Sequence, residues 1–316
     1  MDQNISSSAE PPAEAALNEG TGPSSLGVQF MFLAGLVISV ALFLFASRTF
    51  HVPTFPGLGG SLLAEPGALL AFGVIAAALL LCVLVGTGIA GWMRFDAGLF
   101  CAAGGMAALS WRAGTVGDVL RQAGPGGSTF IFIILALELS VLFALLGLGW
   151  SMLWWMHRQG WVKSEEIEDA LEAESESVGM KWAALGIQAA VMAVIIMILG
   201  QSDTKVQAQF SVGVAAFIAT WAACAIYPIG PSAWFWVGPL IVGVVGYVAA
   251  YFGTAPADDV WKTGQITSAL APLARALPLD YATAGPVGAL LAYWLVRKKS
   301  QPNTEWTPTP TDHIAV

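Results

Sequence analysis

The chain predicts an all-α fold, a polytopic membrane bundle of about eight transmembrane helices. Three observations predict it. Hydrophobic residues make up 56% of the 316 and the mean hydropathy is +0.70. Charged residues are only 11%, against about 25% in soluble domains. The apolar residues also gather into at least seven runs long enough to cross a bilayer, where the backbone must pair all its polar groups within the protein.

Residues 1–25 form an acidic tail (Asp2, Glu10, Glu14, Glu19) without Lys or Arg, the composition of a disordered segment. A secretory signal needs a positive start and a cleavage site, so the first apolar run reads as a retained span. The bundle is expected to occupy 26–297. Its spans fall at about 26–46, 66–92, 97–111, 128–156, 182–200, 208–227, 233–253 and 281–296. The third is short and rich in small residues, with 101–105 reading CAAGG. About twenty residues are needed to cross a core of about 30 Å. This run therefore either crosses after a hairpin at 93–96 or re-enters, which leaves seven spans. The fourth run extends past the bilayer surface or tilts. Gly238 and Pro239 should kink the seventh. Trp150, Trp154, Trp155, Trp182, Trp234 and Trp236 gather near span ends, as interfacial aromatics do.

Three segments are expected outside the bilayer: a cytoplasmic acidic loop at 157–180, a non-cytoplasmic loop at 254–280, and a Pro/Thr-rich, extended or disordered tail at 298–316. In the first, Ser164 caps a helix with a thin apolar edge (Ile167, Ala170, Leu171, Val178) and seven carboxylates. It reads as a solvated helical face, with a docking helix for a basic partner or a weak cation site as the sharper alternatives. In the second, Asp258 and Asp259 cap a short interfacial helix bearing Val260, Trp261, Ile266 and Leu270; the alternative is a lid over a cavity. Residues 114–122 form a smaller version of it.

Cationic residues near span ends set orientation. With eight crossings, one side carries Arg94, Arg158, Lys163, Lys181 and the Arg297, Lys298, Lys299 cluster, and the other Arg48, Arg112, Arg121, Lys205, Lys262 and Arg275. The Arg297 cluster and Lys181 abut their spans and place the C-terminus in the cytoplasm. The N-terminus joins it if the third run crosses.

Most chemistry is disfavoured. The three histidines, His51, His157 and His313, lie outside the spans, whereas a bis-imidazole haem needs His on facing helices and an HExxH zinc site needs them one turn apart. Ser232 has no intramembrane base to activate it. The sequence GTGIAG at 86–91 fits the GxGxxG pattern, but it lies late in an apolar helix, where small residues serve close packing. Cys82, Cys101 and Cys224 read as small apolar packing residues without a bridge. No catalytic, cofactor or metal residue is assigned. The 13 Lys and Arg are scattered, which excludes a phosphate-binding stripe and so nucleic acid. The expected partners are the lipid bilayer and proteins docking on the acidic loop or tails.

One intramembrane group stands out. Glu138 is the lone ionisable residue between 130 and 156. If its span begins near Phe130, it lies within about 3 Å of the midplane by helix rise, where a charge costs on the order of 3 kcal/mol or more. It should face the interior and either carry a proton or find a donor. Its neighbours one turn away offer none, so Ser39, Thr220 and Tyr247, at comparable depths, are the candidates; Gln188 lies nearer the cytoplasmic end. Glu138 reads either as a proton- or cation-coupled site or as a neutral acid holding helices together.

Three functions compete. A non-catalytic scaffold or accessory subunit fits the shortage of intramembrane polar groups. A small transporter or channel would use Glu138 and the kink at Pro239. An interfacial lipid enzyme would have only His51, Asp118, Asp258 and Asp259.

Overall fold

A computed structural model describes residues 25–49, 61–63, 68–90, 96–127, 129–161, 177–202, 204–227, 233–253, 262, 264, 266 and 270–300. The acidic N-terminal tail, the acidic helix after Ser164, the Asp258–Asp259 cap, His51 and the C-terminal tail lie outside them. Every regular element among the described residues is a helix. In chain order these are α1 (Ser25–Thr49), α2 (Ala68–Ala90), α3 (Ala97–Arg112), α4 (Val116–Gly127), α5 (Ile131–Arg158), α6 (Val178–Leu199), α7 (Lys205–Ile226), α8 (Ala233–Trp236), α9 (Gly238–Gly253), α10 (Ala271–Ala274) and α11 (Pro278–Ser300).

Among the described residues, six stretches are long and apolar enough to cross a membrane: α1, α2, α5, α6, α7, and α8 with α9 taken together. Their outward faces keep large apolar side chains exposed, among them Leu69, Phe45, Ile198 and Phe252, as a chain solvated by lipid requires. These features fit a multi-pass integral membrane protein. The remaining two candidate runs, α3 and α11, fold as helices but fall outside that set. At 16 residues, α3 rises about 24 Å, short of the roughly 30 Å core.

Local chemistry sets the helix ends. Ser177 caps α6 by accepting from the Met180 N–H. Thr115 and Asp118 form a reciprocal capping box at the start of α4. The Asp118 N–H donates to Thr115 Oγ1 at 3.3 Å and the Thr115 N–H to Asp118 Oδ2 at 2.9 Å. Val116, Val119 and Leu120 turn inward from α4 into the protein core while Arg121 faces out. At α11, Pro278 takes the first helical position and Asp280 Oδ2 accepts from the Leu277 N–H at 2.9 Å.

The two helices outside the six sit at the centre. α3 is buried along nearly its whole length by α1, α2, α5 and α11, and α11 packs in turn along α7. Polar contacts clamp α3 to α11 at both ends. Trp294 Nε1 donates to Asp96 Oδ1 at 2.7 Å, and Ser110 Oγ to Asp280 Oδ1 at 2.6 Å. Fourteen residues separate Asp96 from Ser110, and fourteen separate Asp280 from Trp294. The helices therefore run antiparallel in register over about 21 Å. α3 is thus one continuous helix lying beside α11.

Small residues allow the approach. A Cβ on Gly288 would collide with the Gly213 carbonyl, joining α11 to α7, and one on Gly86 would meet Cys101 Cβ at 2.9 Å and Gly98 Cα at 3.0 Å. The GxGxxG stretch accordingly packs α2 on α3 at Gly86. All three cysteines are buried and unbridged. Several of the tryptophans pair with one another: α5 meets α8, and α6 meets α8. Trp150 lies 6.2 Å from Trp236, Trp182 stacks edge-on with Trp234 at 5.4 Å, and Arg158 covers the Trp154 ring at 5.4 Å.

Candidate functional site

Glu138 is fully buried on α5, seven residues from the helix start. Its donors come from a segment the depth argument did not consider, the connection between α1 and α2. Ser61 Oγ donates to Glu138 Oε2 at 2.7 Å and the Leu63 N–H to the same oxygen at 3.3 Å. Oε1 has no aligned hydrogen-bond partner among the described residues. The helix does begin at Ile131, yet its 28 residues rise about 42 Å, so Glu138 lies about 10 Å from its midpoint. A connection can reach that level. The carboxylate therefore ties residues 61–63 of the α1–α2 connection onto α5.

None of the three residues proposed to help it donates to it among the described residues. Ser39 lies where α1 crosses α3, its backbone pressed against Gly105, and its carbonyl accepts from Cys82 Sγ at 3.8 Å. Its own hydroxyl has no partner among the described residues. Tyr247 on α9 donates from its hydroxyl to the Ala276 carbonyl. It packs edge-on with Tyr281, whose hydroxyl donates to the Leu273 carbonyl at 2.7 Å. Thr220 belongs to a separate cluster around Gln188.

That cluster has a backbone cause. Pro239 has no N–H, so the carbonyl four residues earlier, Phe235, loses its helical partner, and the chain turns at Val237 as the Gly238–Pro239 pair predicts. Gln188 reaches across from α6 and supplies the missing donor, Nε2 lying 2.6 Å from Phe235 O and 2.7 Å from Thr220 Oγ1. Gly238 makes room, since a Cβ there would overlap the Gln188 amide at 2.5–2.9 Å. In a membrane a proline break persists where a neighbouring helix re-pairs the freed group.

A further cluster was missed from sequence. Asp280, 1% exposed, receives Ser110 from α3 and stands 2.8 Å from the Lys205 ammonium at the start of α7. The contact is an ion pair, though not aligned as a hydrogen bond. Gln209 Nε2 adds a 2.9 Å bond to Ser110 Oγ. Asp280 and Lys205 lie in different segments of the sequence and read separately as loop charges, so only the opposition of an aspartate and a lysine near span ends could have hinted at the pair. Among the described residues no three His, Cys, Asp or Glu come together as metal ligands. His157 rests beside Trp154, ring centres 6.2 Å apart. Compared with protein-family models, curated proteins and solved structures, the chain matches none.

Proposed function

We propose that this integral membrane protein crosses the bilayer eight times, with both termini in the cytoplasm, and serves as a non-catalytic scaffold or accessory subunit of a membrane complex. One observation carries the functional part. Several interior polar side chains of separate helices are paired with one another or with backbone carbonyls, although the Ser39 hydroxyl and Glu138 Oε1 are not. Gln188 repairs a proline break, Asp96 and Asp280 clamp α3 to α11, and the two tyrosines tie α9 and α11 to the carbonyls of 273–276. They brace the bundle at four places, whereas a transport path needs polar stations that converge. The in-register pairing of α3 with α11 supports eight crossings. The Arg297 cluster supports a cytoplasmic C-terminus, and the acidic loop and tails are the surfaces offered to protein partners.

The test combines reconstitution with affinity capture. In sealed vesicles the purified protein should pass no H⁺, Na⁺ or K⁺ above empty vesicles under an imposed gradient. From native membranes in mild detergent it should bring down a stoichiometric partner, lost when 162–176 or a tail is deleted. Ion flux abolished by Glu138→Gln in an intact bundle overturns the reading. That outcome would establish the second one, a transporter coupled through Glu138. It is favoured by the carboxylate's full burial and its hold on the α1–α2 connection.

A further inference from the structure

Each of the six apolar stretches can enter a membrane on its own composition. α11 is outside that set and enters the bundle carrying Asp280 in its first turn, buried to 1% exposure. A carboxylate there strongly opposes insertion unless it is paired. Besides the adjacent Leu277 N–H, its partners lie on helices already made when α11 is synthesised: Ser110 at the end of α3 and Lys205 at the start of α7. The backbone contact between Gly288 and Gly213 holds α11 against the same α7 that carries Lys205. Charge and close packing thus converge on one neighbour.

We propose that α11 is a dependent span, kept across the membrane by the Lys205–Asp280 ion pair rather than by its own apolarity. Breaking the pair then releases the C-terminal segment from a single orientation. The dependence rests on α11 being a crossing, and the experiment separates the two. Ala257→Cys, or a cysteine appended to the C-terminus, is labelled in sealed membrane vesicles with an impermeant maleimide before and after permeabilisation. Labelling is read peptide by peptide. In the otherwise unaltered chain the two reporters should label from opposite sides; labelling from the same side overturns the crossing itself.

With the crossing established, Lys205→Leu tests the dependence. This change makes α7 more apolar and can only favour its own insertion, so a defect at the C-terminus must act through Asp280. The fraction of C-terminal reporter on the wrong side should rise roughly tenfold. The double variant Lys205→Leu with Asp280→Asn removes both charges and should return the reporter to one side. A Lys205→Leu chain with the unaltered labelling pattern overturns the proposal, as does a double variant as mixed as the single. If Lys205→Leu fails to accumulate, the double variant decides: recovery with single-sided labelling supports the pair, and continued loss overturns it.

Discussion

Gln188 shows how one side chain can make a broken helix tolerable. Its amide occupies the place of the N–H that Pro239 lacks, so replacing it strands the Phe235 carbonyl in a dry interior. Polar bonds between membrane helices average about 0.6 kcal/mol in double-mutant cycles, but an acceptor left with no alternative costs more. Gln188→Leu should lower stability by about 1–2 kcal/mol, measured as a shift in SDS unfolding from mixed micelles. Pro239→Ala restores a backbone donor, so in that background Gln188→Leu should cost about half as much or less. Equal costs in the two backgrounds would show that the amide does not stand in for the missing N–H. At Glu138, glutamine still accepts from Ser61 and Leu63 and should change stability by less than about 1 kcal/mol, while leucine leaves both donors unmet and should cost about 1–3 kcal/mol. The intramembrane acid was legible as a lone polar group in an apolar run. Its donors were not, because 75 residues separate Leu63 from Glu138 and depth arguments compare helices with helices, leaving out a connection that folds inward.

Helices whose apolar length exceeds the hydrocarbon core announce themselves in the sequence. The run expected at 66–92 forms Ala68–Ala90, and the run at 128–156 forms Ile131–Arg158, each displaced by two or three residues at an end. α3 and α11 are harder to read because neighbouring helices, more than lipid, surround them. Pairing decided by small residues and end polar groups leaves little periodic signal. Their contacts still make a sharp prediction. Gly288→Ala directs a methyl group at the Gly213 backbone, which cannot rotate away, and should destabilise the bundle by about 1–3 kcal/mol. Gly88 faces open space on α2, so Gly88→Ala should be neutral or stabilise by up to about 1 kcal/mol through helix propensity. The same micelle titration reads both; a Gly288→Ala chain as stable as the parent would mean that α7 and α11 are farther apart than described.

The bundle has one continuous core that draws on every long helix from α1 to α11. α11 is the strut that makes it one, with α3 on one flank and α7 on the other. A molecule joined in this way should unfold as a unit even though α1–α3 and α6–α7 touch mainly through shared neighbours. The cysteines report on this without added labels, because Cys82 sits on α2, Cys101 on α3 and Cys224 on α7, all buried and free. Maleimide should modify each in the folded micelle on the order of 10³-fold more slowly than in SDS, since access requires opening of packed helices. As SDS is raised, the three thiols should become reactive at one midpoint. If Cys224 reacts at a lower denaturant fraction than Cys82 and Cys101, α7 separates while α2 and α3 remain packed. The strut would then be weaker than its clamps at Asp96 and Asp280 imply, and the bundle would consist of two units that meet at α11.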